Sequence, residues 1–189
     1  MPEENLAADF FMRDPETCAR ELIGCVFRWH GCAGRIVETE AYSAVADEAC
    51  HTWFRPGARR FVAAHGAGSA YVYLNYGMHW LFNVLVKGGS EDGFVLFRAL
   101  EPLDGIGEMR ERCGGTDARI CAGPGKLTKA LGINGAAHGS GFLGLGATGI
   151  RRGTPVDVLA GPRVGISKAM ETPWRFGAAG SPALSRLFK

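Results

Sequence analysis

Short apolar runs broken by glycine fill most of the chain, and long amphipathic stripes are few. Residues 25–30 and 35–42 both read as strands. Residues 31–34, glycine at each end, read as the turn of a hairpin between them. Residues 71–75 and 79–87 predict a second hairpin, joined around Tyr76-Gly77-Met78. A turn over 88–93 and a strand over 94–100 follow. Three consecutive strands with short turns predict an antiparallel meander. Two late strands are expected at 155–159 and 163–168, and the stretch after Glu171 has little regular pattern.

Helical signals are shorter. Asp14 reads as an N-cap and Pro15 as the first helical residue, with the helix running to about Ile23 and ending at Gly24. Residues 102–113 read as loop plus helix, and Gly123-Pro124-Gly125-Lys126 opens a helix to Leu131. Residues 44–52 are polar and irregular or a short helix. Residues 52–69 are loop-like and carry Arg55, Arg59 and Arg60, and 135–149 form a glycine-rich surface loop. No repeat or linker interrupts the pattern, so residues 1–189 are expected to form one α+β domain.

Composition changes this picture little. The chain has 189 residues, enough for one real core, and 47% of them are hydrophobic. No run approaches the roughly 18 apolar residues of a membrane span. The start, Met1-Pro2-Glu3-Glu4-Asn5, lacks an apolar signal core. A cytosolic location is expected, beside the nucleoid in a bacterium or in the nucleus of a eukaryote. Net charge is +2, but its make-up is skewed: 16 Arg stand against 5 Lys. Arginine binds phosphate bidentately and stacks on bases, although a GC-rich genome yields the same bias. The six cysteines form no C-x-x-C pair. Cys50-His51 and His30-x-Cys32 lack the tight four-ligand spacing of a zinc site, so free buried thiols are expected, with no metal.

The chemistry starts at Glu40. Strand alternation places Glu38, Glu40 and Tyr42 on one face and Val37, Thr39 and Ala41 on the other. A carboxylate amid a good strand is costly unless something uses it. Glu38 and Glu40, about 7 Å apart across two strand steps, resemble in spacing an inverting acid/base pair. Arg98 in an apolar strand demands an anion, with Glu40, Glu101 or a bound phosphate as candidates. Asn83 must find hydrogen bonds among apolar neighbours, within a structural network or on a polar pocket wall. Tyr71 is read as core, whereas Tyr73 fits a core or a stacking slot equally. Tyr76 and Met78, held out on a tight turn, fit a partner contact or a wedge between base pairs. Lys126 at a helix start fits a single phosphate, the P-loop spacing being absent.

Six segments occur together in order: residues 34–42 (GRIVETEAY), 47–51 (DEACH), Tyr71-Val72-Tyr73 through Tyr76-Gly77-Met78, 98–102 (RALEP), 123–127 (GPGKL) and Arg163-Val164-Gly165. In this set the chain resembles the alkyladenine (3-methyladenine) DNA glycosylases, monofunctional base-excision repair enzymes, from about Leu6 to Ser185. The resemblance implies a mixed domain with a curved antiparallel sheet, short helices around it and a protruding β-hairpin. It implies no cofactor, and double-stranded DNA containing damaged purines as the partner of a monomer. It assigns Glu40 as the base that activates water, and gives Arg98 and the Val164 carbonyl a part in placing that water. Tyr42, His51, Tyr73 and Asn83, with Ala49 beside them, fall on the base pocket. Asn83 matches the side chain that crowds the amine of guanine. Tyr76 matches the residue filling the gap left by a flipped nucleotide, with Met78 beside it, and Lys126 matches a DNA-contacting lysine. Glu38 receives no chemistry and is read as structural.

The implied substrates are alkylated or deaminated purines of the 3-methyladenine, 7-methylguanine, hypoxanthine and 1,N6-ethenoadenine class. The match is weakest over 53–69. There the family typically carries Arg-Asn followed by Met-Phe, and this chain has Arg59-Arg60-Phe61-Val62-Ala63-Ala64. His79 also stands where some members have an aromatic residue. A non-catalytic nucleic-acid-binding module leaves Glu40, Arg98 and His51 without a purpose. A nucleoside or sugar hydrolase leaves the Tyr76 tip without one.

Overall fold

The computed structural model describes residues 5–114, 119–144 and 146–188. Among the described residues, eight antiparallel strands carry the fold: β1 (Val26–Trp29), β2 (Cys32–Ser43), β3 (Ala70–Asn75), β4 (His79–Val86), β5 (Gly93–Asp104), β6 (Thr148–Arg151), β7 (Val158–Gly161) and β8 (Arg175–Ala178). Their order is β3-β4-β5-β2-β1-β6, with β8 joining β2 and β7 joining β8. The curved sheet therefore branches at β2. One edge of its central stretch pairs with β5 and the other with β8, where Glu38 faces Gly177 and Glu40 faces Arg175. Breaks in register around Glu38 twist β2 at this point.

Short helices surround the sheet: α1 (Pro15–Glu21), α2 (His51–Phe54), α3 (Pro56–Ala64), α4 (Ile106–Cys113) and α5 (Pro124–Leu131). The α+β expectation holds, and both hairpins and the meander are present. No helix among the described residues is long and apolar enough to cross a membrane.

Several local expectations were wrong. The stretch 52–69 is not a loop, because α2 and α3 occupy most of it. Pro56 at the helix start and an apolar stripe that buries Ala58 and Phe61 account for α3. Residues 31–34 are not a four-residue turn: β2 begins at Cys32, and His30 and Gly31 take positive φ of 42° and 85°. Residues 163–168 form no strand, while the tail after Glu171 contains β8, whose Phe176 is fully buried. The segment 135–149 is partly anchored, with Phe142 in the core and β6 at its end.

Two apolar clusters divide the interior. The larger contains Phe27, Phe82, Phe97 and Phe142; the Phe27 ring lies 5.1 Å from both Phe82 and Phe97. Four described cysteines, Cys18, Cys25, Cys32 and Cys121, are buried free thiols in this cluster. The smaller unites Cys50, Ala58, Phe61, Tyr71, Leu85 and Phe94, with Tyr42 and Tyr73 packed against it. It is the floor on which the candidate site stands. Burying Phe61 there contributes about 2–3 kcal/mol.

Candidate active site

A cleft of about 1160 Å³ opens above the smaller cluster. Its walls come from β2 through Tyr42, α2 through His51, Trp53 and Phe54 with Arg55 just after it, β3 and β4 through Tyr73 and Asn83, and the segment around Val164. Ala49, Arg98, Tyr76 and Lys126 also line it. Nine of the eleven residues singled out from sequence therefore converge on one cleft: Tyr42, Ala49, His51, Tyr73, Tyr76, Asn83, Arg98, Lys126 and Val164. Glu40 lies immediately behind, and Met78 stands on the adjoining hairpin tip.

Glu40 is fully buried, yet both carboxylate oxygens are occupied. Oε1 accepts from the Val164 backbone N–H at 2.7 Å, and Oε2 accepts from the Tyr42 hydroxyl at 2.7 Å. Arg98 Nη1 lies 3.4 Å from Oε2. The contact from Val164 is thus its N–H; the resemblance concerns its carbonyl. Burial pushes the Glu40 carboxyl above its ordinary value, opposed by Arg98, the Val164 N–H and Tyr42. The net direction is upward, although Arg98 by itself favours the ionised form.

Arg98 takes Glu38 as well as Glu40, and Glu38 was not among the anions foreseen for it. Glu101 instead lies 3.5 Å from Arg35. Glu38 is fully buried and accepts from Arg98 Nε at 3.2 Å, Arg175 Nε at 2.7 Å, and the Ser185 N–H and hydroxyl at 2.6 and 2.8 Å. So saturated a carboxylate fits its structural reading. A second buried pair holds the other side of the site. Arg163 Nη2 donates to Asp47 at 2.9 Å, and its guanidinium lies 4.6 Å from the Tyr42 ring centroid. Pairs separated by more than a hundred residues leave no trace in local pattern, which is why sequence reasoning missed them.

His51 Nδ1 is 3.0 Å from the Tyr71 hydroxyl, and its ring lies 4.3 Å from Tyr73. Burial, then Arg55, lowers the His51 pKa to about 4, so the imidazole is neutral near pH 7. Tyr71 is buried as expected, stacked at 4.5 Å on Phe94. Half-buried Tyr73 presents its ring to the cleft. Asn83 Nδ2 donates to the Tyr71 carbonyl at 3.1 Å, and the residue also lines the cleft.

The hairpin tip stands free. Tyr76 is 84% exposed and Met78 71%. Tyr76 and Gly77 both take positive φ, 49° and 68°, as a tight turn of this hand requires. For a tyrosine that conformation costs about 1–2 kcal/mol. Lys126 projects from the first turn of α5, which docks closely on the hairpin base. A Cβ on Gly125 would come within 2.9 Å of His79 Cβ, so only glycine permits the approach.

The 59–64 segment acts from behind the cleft. Phe61 packs 4.9 Å from Tyr71, and Arg59 Nη1 donates to the Thr52 carbonyl at 2.6 Å. Ala63 and Ala64 are exposed and do not line the cleft. What sequence reasoning overlooked is the rim. Trp53 and Phe54 are exposed there, and the Arg55 guanidinium lies 5.7 Å from both the Phe54 and Tyr73 rings. Two adjacent aromatics followed by arginine were the available signal.

The sequence profile of the methylpurine-DNA glycosylase family matches residues 9–182. The chain belongs to that family. It is therefore a DNA glycosylase, an enzyme of DNA repair. Relatives carrying the name "Putative 3-methyladenine DNA glycosylase" span almost the whole chain. The protein of Rhizobium etli is 44% identical over 182 residues, covering 95% of this chain and 88% of its own. That of Nitrosospira multiformis is 43% identical over 175 residues, covering 90% and 89%. That of Chlorobaculum tepidum is 40% identical over 191 residues, covering 97% and 91%. The family's match spans every residue described around the cleft except Ser185.

Proposed function

We propose that this enzyme flips alkylated or deaminated purines out of duplex DNA and hydrolyses the N-glycosidic bond with a water activated by Glu40. The observation that carries this reading is a fully buried carboxylate held at the back of an aromatic cleft whose rim bears an exposed hairpin. A purine inside a duplex hides its glycosidic bond, so the nucleotide must leave the stack at a cost of a few kcal/mol. Tyr76 fills the vacated space and lowers the penalty of flipping. Lys126 holds a backbone phosphate.

The flipped base enters between Tyr42 and Tyr73, with His51 against Tyr73. Stacking contributes about 1–3 kcal/mol per base. A cationic base, such as 3-methyladenine or 7-methylguanine, gains a further cation–π attraction. Asn83, fixed by the Tyr71 carbonyl, crowds the exocyclic amine of guanine and disfavours the normal base. Glu40 accepts the proton of a water as that water attacks C1′ and the base leaves with the bonding electrons. Arg98 and the Val164 backbone keep carboxylate and water in place. The enzyme acts as a monomer, and the product is an abasic site with the strand intact.

The test is incubation with duplexes carrying a single hypoxanthine, 1,N6-ethenoadenine or 7-methylguanine. Base release with alkali-labile abasic sites and no direct strand cleavage is expected. Release from free nucleosides at a comparable rate would sink the duplex-specific reading. Tyr76→Ser is expected to lower the flipped fraction about tenfold, a loss of about 1.4 kcal/mol, with the chemical step on flipped base unchanged. A fluorescent base analogue opposite thymine measures it, and an unchanged flipped fraction removes the wedge role.

A further inference from the structure

Arg98 stands between two buried carboxylates and treats them differently. Its hydrogen bonds go away from Glu40: Nε donates to Glu38 at 3.2 Å, and Nη2 donates to the Ser185 hydroxyl at 3.3 Å. Its approach to Glu40 is an ion pair, Nη1 to Oε2 at 3.4 Å, slightly longer than either of these hydrogen bonds. Ser185 is the piece that closes this array. Its hydroxyl donates to Glu38 Oε1 and accepts from Arg98 Nη2, while its backbone N–H donates to Glu38 Oε2. The surrounding tail is itself tied down. Arg119 Nη1 donates to the Leu184 carbonyl at 2.9 Å, and Arg175 Nη2 donates to the Arg186 carbonyl. The family's match stops at residue 182, so this contact falls just past it.

We propose that Ser185 is a positioning residue: together with Glu38 it keeps the Arg98 guanidinium at ion-pair distance from Glu40, so that a lone pair of the Glu40 carboxylate remains to take the proton of the attacking water. The inference rests on Glu40 being the base. Two charged partners compete for one cation. Were Arg98 to close on Glu40, the pair would share a short bidentate contact and the carboxylate would lose basicity. Glu38, neutralised in turn by Arg175, prevents this by accepting from Nε. The Ser185 hydroxyl does the same for Nη2, a part-buried donor that would otherwise lose this acceptor. Glu40 Oε2, 3.4 Å from Nη1, lies against the same guanidinium.

The charged and titratable groups around Glu40 are consistent with this balance. Glu38 and Tyr42 come from β2, Arg98 from β5, Arg175 from β8, Tyr73 from β3, and Arg163 from the segment after β7. Of the cations, Arg98 makes the direct contact with the Glu40 carboxylate. After burial, Arg98 is the largest influence on how strongly Glu40 holds a proton.

Single-turnover excision of hypoxanthine from a duplex, measured across acid to neutral pH, tests the proposal with Ser185→Ala and Ser185→Thr. In Ser185→Ala the acid limb of the rate profile is expected to move down by about one pH unit. The plateau rate should fall about tenfold because a weaker base accepts the proton. Ser185→Thr, which keeps the hydroxyl, is expected to restore both. A Ser185→Ala profile that superimposes on the wild type, with only a lower melting temperature, overturns the proposal and leaves the serine purely structural. Carboxyl NMR titration of the substrate-free Ser185→Ala protein reads the same shift without turnover, and an unmoved Glu40 resonance equally overturns it. Failure of the underlying reading is separate: Glu40→Gln would then excise normally, whatever Ser185→Ala does.

Discussion

Glu40→Gln is expected to bind a lesion duplex as the wild type does and to release base about 10²–10⁴-fold more slowly, the range for loss of a general base. That corresponds to about 3–5 kcal/mol of barrier. Gln has the shape of Glu, and its carbonyl oxygen can still accept from Val164 N–H. What it lacks is a site for the water proton. The wild-type profile carries a second mark of the same group. Burial raises the Glu40 pKa, so the carboxyl stays protonated to higher pH than an ordinary glutamate. Excision should be present above that raised value and lost as pH falls through it. The acid limb therefore lies above the usual carboxylate range, and it disappears in Glu40→Gln. Single-turnover excision together with equilibrium binding to the same duplex measures both. Normal excision by Glu40→Gln would mean that the base lies elsewhere.

Arg98→Leu is the second large effect. It removes the cation shared by Glu38 and Glu40 and leaves fully buried carboxylates with less compensation. Breaking a buried pair from one side costs about 3–5 kcal/mol. Arg175 still serves Glu38, so the deficit falls chiefly on Glu40, whose nearest cation is gone. The sign with pH follows. With Arg98 absent, the folded state binds the Glu40 proton more tightly than the unfolded chain does. Stability then declines as pH rises between the ordinary carboxylate value and the raised folded one. Urea denaturation should show the deficit largest near neutral pH and smaller in acid, where protonation removes the uncompensated charge. A deficit of equal size at both would show that Arg98 acts through packing alone. Excision near neutral pH should also be lost, because Glu40 then holds its proton.

Much of this was legible in the residues. Strand alternation put Glu38, Glu40 and Tyr42 on one face. The Tyr76-Gly77-Met78 tip was placed by its flanking apolar runs, and the helix at Pro124 by its proline and glycines. These are local properties, set by neighbours within a few residues. The α2–α3 segment was misread as a loop because nine helical residues give a short stripe, and Phe61 finds its purpose only against Tyr71. The β8 strand was missed for a related reason. Four residues carry too little pattern, and their pairing with β2 spans more than a hundred positions.

The sequence by itself determined the strand faces, the exposed turn and the residue set that places the chain among the methylpurine-DNA glycosylases. Tertiary structure alone decided which charges meet. It set Arg98 against Glu38 and Glu40, Arg163 against Asp47, and Ser185 against Glu38. The physical reason is desolvation. A buried charge must find a partner, but the partner is chosen by the packing of strands distant in sequence. That choice surrounds an awkward glutamate in a strand with Arg98, Tyr42 and the Val164 N–H.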